Sequence, residues 1–262
     1  MAPIDPRVNF RTSYNQDEII ATMTAYYQFL SRLPYVDPSD IMYPPPGGWP
    51  EINQETLGYL GRTDTVIELL RHLPYINTDN HDFLVSLDVH AADYRGKWFK
   101  SSVAKKVGSF ATPVGATFPP NVIGLTNGKN TGVYLMLDTV DGTITPYEIM
   151  GYTYDPTYPP GDPRSWRDQC HDETLRLSDI LDRWKQKFAT LEWMASPLNG
   201  WPYIWWGDDR RQSEETRQRE EMREIFRAHG WPNSFRRDEC KQALIKWEEE
   251  RHRRYREAQN GA

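Results

Sequence analysis

Apolar and polar positions alternate most regularly between Asn121 and Met150. Val133, Leu135 and Leu137 point to one face of an extended segment, while Tyr134, Met136 and Asp138 point to the other. A strand so apolar on both faces predicts a central place in its sheet. Val122, Ile123 and Leu125 before it, with Ile144, Tyr147 and Ile149 after it, supply the neighbours. Asn127-Gly128 with Gly132 closes one turn and Asp141-Gly142 a second, because Asn, Asp and Gly tolerate the positive φ of tight hairpins. The expected arrangement is an antiparallel meander with helices on either side in sequence.

Helical spacing appears first from Gln16 to Leu33, with Ile19, Ile20, Met23, Tyr26, Tyr27, Phe29, Leu30 and Leu33 forming one broad apolar face that Pro34 ends. Tyr35 to Pro50 is so rich in Pro and Gly that it predicts an extended loop. Short helices follow at Asn53 to Leu60 and Asp64 to His72, the second capped by Thr63 or Asp64 and facing inward with Val66, Ile67, Leu69 and Leu70. Leu33-Pro34-Tyr35-Val36 and Leu73-Pro74-Tyr75-Ile76 read as two uses of one helix-ending device. Phe83 to Val89 alternates as a strand, Trp98-Phe99 and Val103 to Phe110 allow one or two more, and Tyr152 to Pro163 is a loop. Leu175, Leu177, Ile180, Leu181, Trp184, Phe188 and Leu191 predict a long helix over Cys170 to Met194, broken by Asn199 to Gly207. Glu214 to His229 and a second helix from Ser234 form a charged hairpin. Gly230 and Pro232 make the turn, and Cys240, Ala243, Leu244 and Trp247 the inner stripe. Glu215 and Arg219 are spaced for an i,i+4 pair, and the charge run from Glu248 onward reads as a solvated helix end or tail.

The 262 residues suffice for an ordinary hydrophobic core without disulfides. Cys170 and Cys240 lack CxxC partners and read as two buried thiols. No signal-like or membrane-spanning window occurs, so the expected location is cytoplasmic or nuclear, soluble and not secreted. A net charge of −6 argues against a general phosphate-backbone binder. Ten Trp, fifteen Tyr and nine Phe beside twenty Pro mark rigid loops pinned by large rings.

No phosphate loop and no Gly-x-Ser-x-Gly elbow is present, and no cofactor is expected. Asp79, His81, Asp82, Asp88 and His90 are the best polar constellation. On a continuous strand Asp88 and His90 would share a face and, with His81 or Asp82, supply metal ligands (His81, Asp88 and His90) or an acid–base pair. The competing reading is a polar turn and a strand end, and it is preferred. Trp193, Trp201, Tyr203, Trp205 and Trp206 with Asp208-Asp209 form an aromatic cluster. Exposed, it would bind a partner or ligand through Trp201, Tyr203, Trp205, Trp206 and Asp208; buried, it would fasten the hairpin, and burial of most of these rings is preferred. Gly-Trp-Pro recurs at Gly48, Gly200 and Gly230, which fits a structural plug better than three sites. Asp138, Asp141 and Glu148 can in principle bind a cation near the central hairpin, but turn formation accounts for the two Asp more simply.

An N-terminal helix ending in Leu-Pro, the run Val122-Ile123-Gly124-Leu125, the strand Val133 to Thr139 with Asp141-Gly142, and a helix containing Ile180-Leu181-Asp182-Arg183-Trp184 together resemble the SUKH superfamily. That superfamily includes fungal cell-wall-assembly regulators and bacterial toxin-immunity proteins. The likeness covers residues 17–194; the Pro-rich loop, the helices at 53–72 and the C-terminal hairpin depart from it. It implies an α+β binding domain over 1–198, with a Trp-rich loop and helical hairpin over 199–262 packed on it, and carries no catalytic residues. The leading expectation is therefore a non-enzymatic interaction or regulatory module with a protein partner, and with self-association through the C-terminal helices open. The alternative is an enzyme of a small-molecule biosynthetic pathway using His81, Asp82, Asp88 and His90. A weaker alternative is an RNA- or tRNA-handling protein with Arg210-Arg211, Arg236-Arg237 and Arg251 to Arg256 as a basic edge.

Overall fold

A computed structural model of the chain describes residues 5–77, 83–95, 113, 115–129, 131–151, 155–171, 173–198, 201–207, 210 and 213–260. Helix α1 (Gln16–Ser31) begins where the Asn15 side chain accepts the Glu18 N–H at 3.2 Å, and Asp17 and Glu18 complement the helix dipole in its first turn. Its buried face is Ile19, Met23, Tyr26, Tyr27 and Leu30. The Pro-rich stretch after it is more ordered than a loop. Pro38–Asp40 forms a 3₁₀ turn, and β1 (Ile41–Met42) pairs antiparallel with β2 (Tyr75–Ile76). Pro38 occupies the first position of its turn, where no donor is needed.

Between those strands lie α2 (Gln54–Leu57), extended by a 3₁₀ turn over Gly58–Leu60, and α3 (Asp64–His72). Thr63 caps α3 by accepting the Val66 N–H, and Val66, Ile67, Leu69 and Leu70 are buried as the periodicity predicts. The two Leu-Pro-Tyr segments do act alike. Both leucines are buried, and the tyrosine hydroxyls donate to main-chain carbonyls, Tyr35 to Leu84 at 2.8 Å and Tyr75 to Leu70 at 2.5 Å.

Phe83 to Val89 is not one strand. β3 (Leu84–Ser86) and β4 (Val89–Ala91) form a tight hairpin, turned at Leu87-Asp88 with Asp88 at φ 54°. Asp is one of the few residues that adopt this left-handed conformation without much strain. β5 (Val122–Gly124) belongs to the next sheet, while β6 (Thr126–Asn127) pairs with β4. β7 (Tyr134–Asp138) and β8 (Ile144–Tyr147) complete the meander in the order β5-β7-β8, antiparallel throughout, with Ile123 opposite Leu137 and Leu137 opposite Ile144. β7 is central, as expected. Leu135 and Leu137 enter the main core, and Tyr134 and Met136 enter a smaller cluster with Phe118, Trp166 and Cys170. Among the described residues of the first turn the left-handed one is Lys129 at φ 48°, not a glycine; a Cβ on Gly128 or Gly132 would instead overlap neighbouring main chain.

The helix expected over Cys170 to Met194 is shorter, because both ends are recruited elsewhere. Ser165–Gln169 is a 3₁₀ turn, Leu175 exchanges two 2.8 Å main-chain bonds with Ile144, and α4 spans Leu177–Ala189. The segment expected to break the helix is mostly sheet: β9 (Met194–Leu198) and β10 (Trp201–Trp205) form an antiparallel ribbon. Pro197 and Pro202 lie opposite each other, so the two residues lacking an N–H share one rung.

The charged hairpin is present as α5 (Glu214–Ala228), capped by Ser213, and α6 (Arg237–Asn260). α6 runs through the charge run rather than ending before it, and Glu248 is buried. Ile204, Met222, Phe226, Trp231, Cys240 and Leu244 belong to the same core cluster as Leu30, Leu69 and Leu135, so the hairpin packs on its own chain. The fold is α+β, with several small antiparallel sheets and no barrel. Among the described residues no helix is long and apolar enough to cross a membrane. Both cysteines are free and buried, and burial pushes each thiol up to about 12. The segments at 98–99 and 103–110, with Tyr152, lie outside the described residues.

Candidate functional site

Alternation along β10 buries Ile204 and turns Tyr203 and Trp205 to the opposite side, toward α6. Trp205 meets Tyr203 edge-on at 5.9 Å and Trp247 of α6 edge-on at 5.8 Å. The Arg251 guanidinium lies over both indoles, 5.5 Å from Trp205 and 5.7 Å from Trp247. Buried Glu248 holds Arg251 there through contacts of 2.7 and 3.1 Å. Each indole N–H is satisfied, Trp205 by Ser196 Oγ at 3.1 Å and Trp247 by Glu221 at 2.7 Å. The ladder is thus fixed at its polar ends and open at its edge, where Tyr203 is 39 % exposed; Trp206, the residue after β10, is 52 % exposed. Trp193, by contrast, is buried against Phe188. Trp201 supplies backbone to β10; its side chain and Asp208 lie outside the described residues.

Trp247 also floors a groove of about 530 Å³ between α5 and α6, with Ile225 and Ala228 beside it. Glu221, Glu224 and Glu250 rim the groove together with Arg254; Glu221 pairs with Arg254 at 3.4 Å and Glu250 with Arg253 at 3.1 Å. Several of the other arginines considered as a basic edge are engaged by their own chain, while Arg211 lies outside the described residues. Arg237 donates to the Leu33 and Val36 carbonyls and to Asp37, and Arg236 to the Ala228 carbonyl and Glu239.

A second polar centre lies at the far end of the meander, where sequence reasoning found only its acidic half. Arg167, in the 3₁₀ turn, is 0 % exposed and donates to Asp138 at 3.1 Å, Asp141 at 2.8 Å and Thr143 at 2.9 Å, with Asp5 as a further close partner. The cation beside Asp138 and Asp141 is therefore the chain's own guanidinium. Both carboxylates also shape the turn: Asp138 accepts the Val140 N–H, and Asp141 the Thr143 N–H. Burial alone would lower the Arg167 pKa, but the surrounding carboxylates outweigh it and hold the proton more tightly than in a free guanidinium. Burial, with the neighbouring Asp141, raises the Asp138 carboxyl above its ordinary value. Glu148 lies instead 3.4 Å from His171.

Two of the three Gly-Trp-Pro segments are plugs with a common chemistry. Trp49 donates its indole N–H to the Leu73 carbonyl at the end of α3, at 2.9 Å. Trp231 donates to the Phe188 and Ala189 carbonyls at the end of α4, at 3.1 and 3.2 Å. Each indole thus satisfies carbonyls that a helix C-terminus leaves open.

Asp88 sits exposed at the β3–β4 turn and half-buried His90 pairs with Leu84 and Asn127 within the sheet, so they are not successive positions on one strand face. His81, Asp82 and Asp79 lie outside the described residues. Among the described residues no three His, Cys, Asp or Glu side chains converge in a metal-binding group. Comparison with known proteins gives no match to a family model, a curated protein or a solved structure.

Proposed function

We propose that this chain is a non-enzymatic protein-interaction module whose contact surface is the groove between α5 and α6 and the adjoining aromatic edge of β10. The observation that carries the reading is continuity: the apolar floor at Trp247 runs into the Trp205–Tyr203 ladder and lies beside three carboxylates. Large aromatic rings with satisfied polar ends dominate binding at protein interfaces. The acidic rim selects a partner segment that is helical, apolar on one side and basic on the other. The SUKH likeness belongs to the same proposal, since it implies a binding role. A soluble protein of the cytoplasm or nucleus fits the acidic balance and the two free thiols.

The test is titration of the whole protein with a synthetic amphipathic helix of leucines and lysines, read by tryptophan fluorescence. Binding on the order of 10 μM is expected, a modest affinity for an unoptimised helix. Trp247→Ala or Glu224→Lys should weaken it roughly tenfold, about 1.4 kcal/mol. A concentration-dependent dimer that buries Trp247 would make the face a self-interface and overturn the reading. Equal binding by the two variants and the unaltered chain would do the same.

A further inference from the structure

The leading segment, residues 5–15, crosses the body without entering any helix or strand. Among the described residues no main-chain hydrogen bond joins residues 5–14 to the body. Among the described residues, hydrogen bonds hold residues 5–14 to the body at one place only, and there by side chains. The Arg7 guanidinium donates to Asp168 at 2.8 Å, to the Arg167 and His171 carbonyls at 2.9 and 2.8 Å, and to Thr157 Oγ at 3.1 and 3.2 Å. Two residues earlier, Asp5 accepts from the Tyr158 hydroxyl at 2.7 Å and from Arg167, with Arg164 3.9 Å away.

These are built receptors for one cation and one anion. Asp168 is positioned without the segment's help, by the Thr157 and Tyr158 N–H groups at 2.8 and 3.2 Å. Arg167 is also held by Asp138 and Asp141, neither of which belongs to that segment. Beyond this anchorage the contacts are apolar and ring-based: the Arg176 guanidinium lies 4.1 Å over the Phe10 ring, and Tyr14 packs on the main core. A cleft of about 540 Å³ lies between Pro6–Phe10 and residues 173–176, and one of about 180 Å³ between Phe10–Ser13 and the Asp141-Gly142 turn. An extended strap held by two charged side chains in polar sockets, with clefts beside it, has the contact pattern of a bound peptide rather than of a core element.

We infer that Asp5-Pro6-Arg7 is a tethered ligand filling a peptide-binding site, and that the site accepts an extended segment of another protein bearing a carboxylate two residues before an arginine. The tether gives the chain's own segment a high effective concentration, so an incoming segment binds in proportion to the fraction of time the strap is released.

The experiment uses the full chain and a fluorescently labelled peptide with the sequence of residues 5–15. In an Asp5→Ala, Arg7→Ala double variant the socket is vacated, and the peptide should bind roughly tenfold or more tightly than to the unaltered chain. Asp168→Asn in the same background should remove that gain, as should a peptide in which Ala replaces both charged residues. Peptide binding no tighter to the double variant than to the unaltered chain overturns the inference, and so does exchange of straps between two copies, seen as a dimer lost in the double variant. Should the double variant fail to fold, limited trypsin digestion of the unaltered chain decides. The Arg7 side chain is 3 % exposed, so cleavage after it requires that it leave the socket, and this site should be cut roughly a hundredfold faster than Arg183 or Lys187 of α4. Equal resistance would show that the strap opens only when the whole fold does, and the inference falls.

Discussion

Replacing Arg167 with Met tests whether the buried guanidinium is the electrostatic centre of the meander's polar end. Methionine fills the space of the Arg stem as far as Nε, so the change keeps the packing of the stem and removes the guanidinium group with its charge and hydrogen bonds. Three carboxylates then lose their common counter-ion. Their side chains are 5 % exposed for Asp138, 10 % for Asp5 and 18 % for Asp141, so solvent can repair Asp141 in part and Asp138 hardly at all. Asp141 keeps its Thr143 bonds, and Asp138 keeps Asn121 and the Val140 N–H, which limits the loss. Removing one member of such a buried pair costs about 3–5 kcal/mol. At about 2 °C per kcal/mol for a chain of this size, that is a fall of roughly 6–10 °C in melting temperature.

The pH dependence provides a check on the sign. The Asp138 carboxyl is already raised in the folded protein, by burial first and Asp141 second, and losing Arg167 raises it further. A raised carboxyl binds its proton more tightly folded than unfolded. Its contribution is full below the unfolded value of about 4 and is lost as pH rises through the folded value. The variant's deficit should therefore be largest at neutral pH and shrink as pH falls toward about 5. Urea unfolding of both proteins, followed by tryptophan fluorescence at the two pH values, measures it. A deficit below about 1 kcal/mol that does not change with pH would refute the reasoning, because an exposed or water-repaired ion pair behaves that way.

Trp231→Phe should cost roughly 1–3 kcal/mol, the sum of a lost hydrogen bond to the end of α4 and the smaller ring, and Trp49→Phe should do likewise at α3; chemical denaturation measures both. Gly230→Ala should destabilise more than Gly47→Ala, although both have φ near +85°, because a Cβ at 230 would overlap the Ser234 carbonyl while that at 47 meets open space; paired melting curves decide. Asp37 works against its partial burial: hydrogen bonds from Arg237 and Lys241 hold its carboxyl below the ordinary range. A depressed carboxyl contributes stability above its unfolded value and loses it as pH falls through the folded one. Asp37→Asn should therefore cost less than about 1 kcal/mol at neutral pH, because the site is half exposed, and nothing in acid.

The parts of the fold legible in the sequence are those with one dominant period. α1, α3 and β7 each repeat apolar residues often enough to reveal their buried faces. β3 and β4 were hidden because residues 83–86 are buried at every position, so a reversal at Leu87-Asp88 left no break in the alternation. β9 and β10 were hidden by Pro197, Gly200 and Pro202, whose usual meaning is a loop; two prolines meeting at one rung is a relation between strands that no local window contains. The Arg167 centre was invisible for the same reason on a larger scale. Its partners stand 162, 29 and 26 positions away, and an arginine in a polar turn has no periodicity to mark it. Only the acidic half was legible, as a candidate cation site that lacked its cation.

Sheets of two or three short strands are marginal alone, so stability here must come from what joins them. Large polar-tipped side chains do much of that joining. Trp49 and Trp231 close helix ends, Tyr26 and Tyr35 reach from the first helix region to the β3 edge, Arg167 ties residue 5 to the meander, and Arg237 ties α6 to the end of α1. Against that background Tyr203 and Trp206 stand out. They have the size of fasteners, yet Tyr203 is exposed at the end of a ladder whose indole N–H groups are already satisfied, and Trp206 is exposed one residue beyond β10. Converting both to Ser removes surface that folding has largely left in water and one ring contact, Tyr203 on Trp205, so the loss of stability should be about 0.5–1.5 kcal/mol while binding of the basic helix weakens. A loss of more than about 3 kcal/mol would mean that the rings serve the fold, and the interaction surface would have to be sought elsewhere.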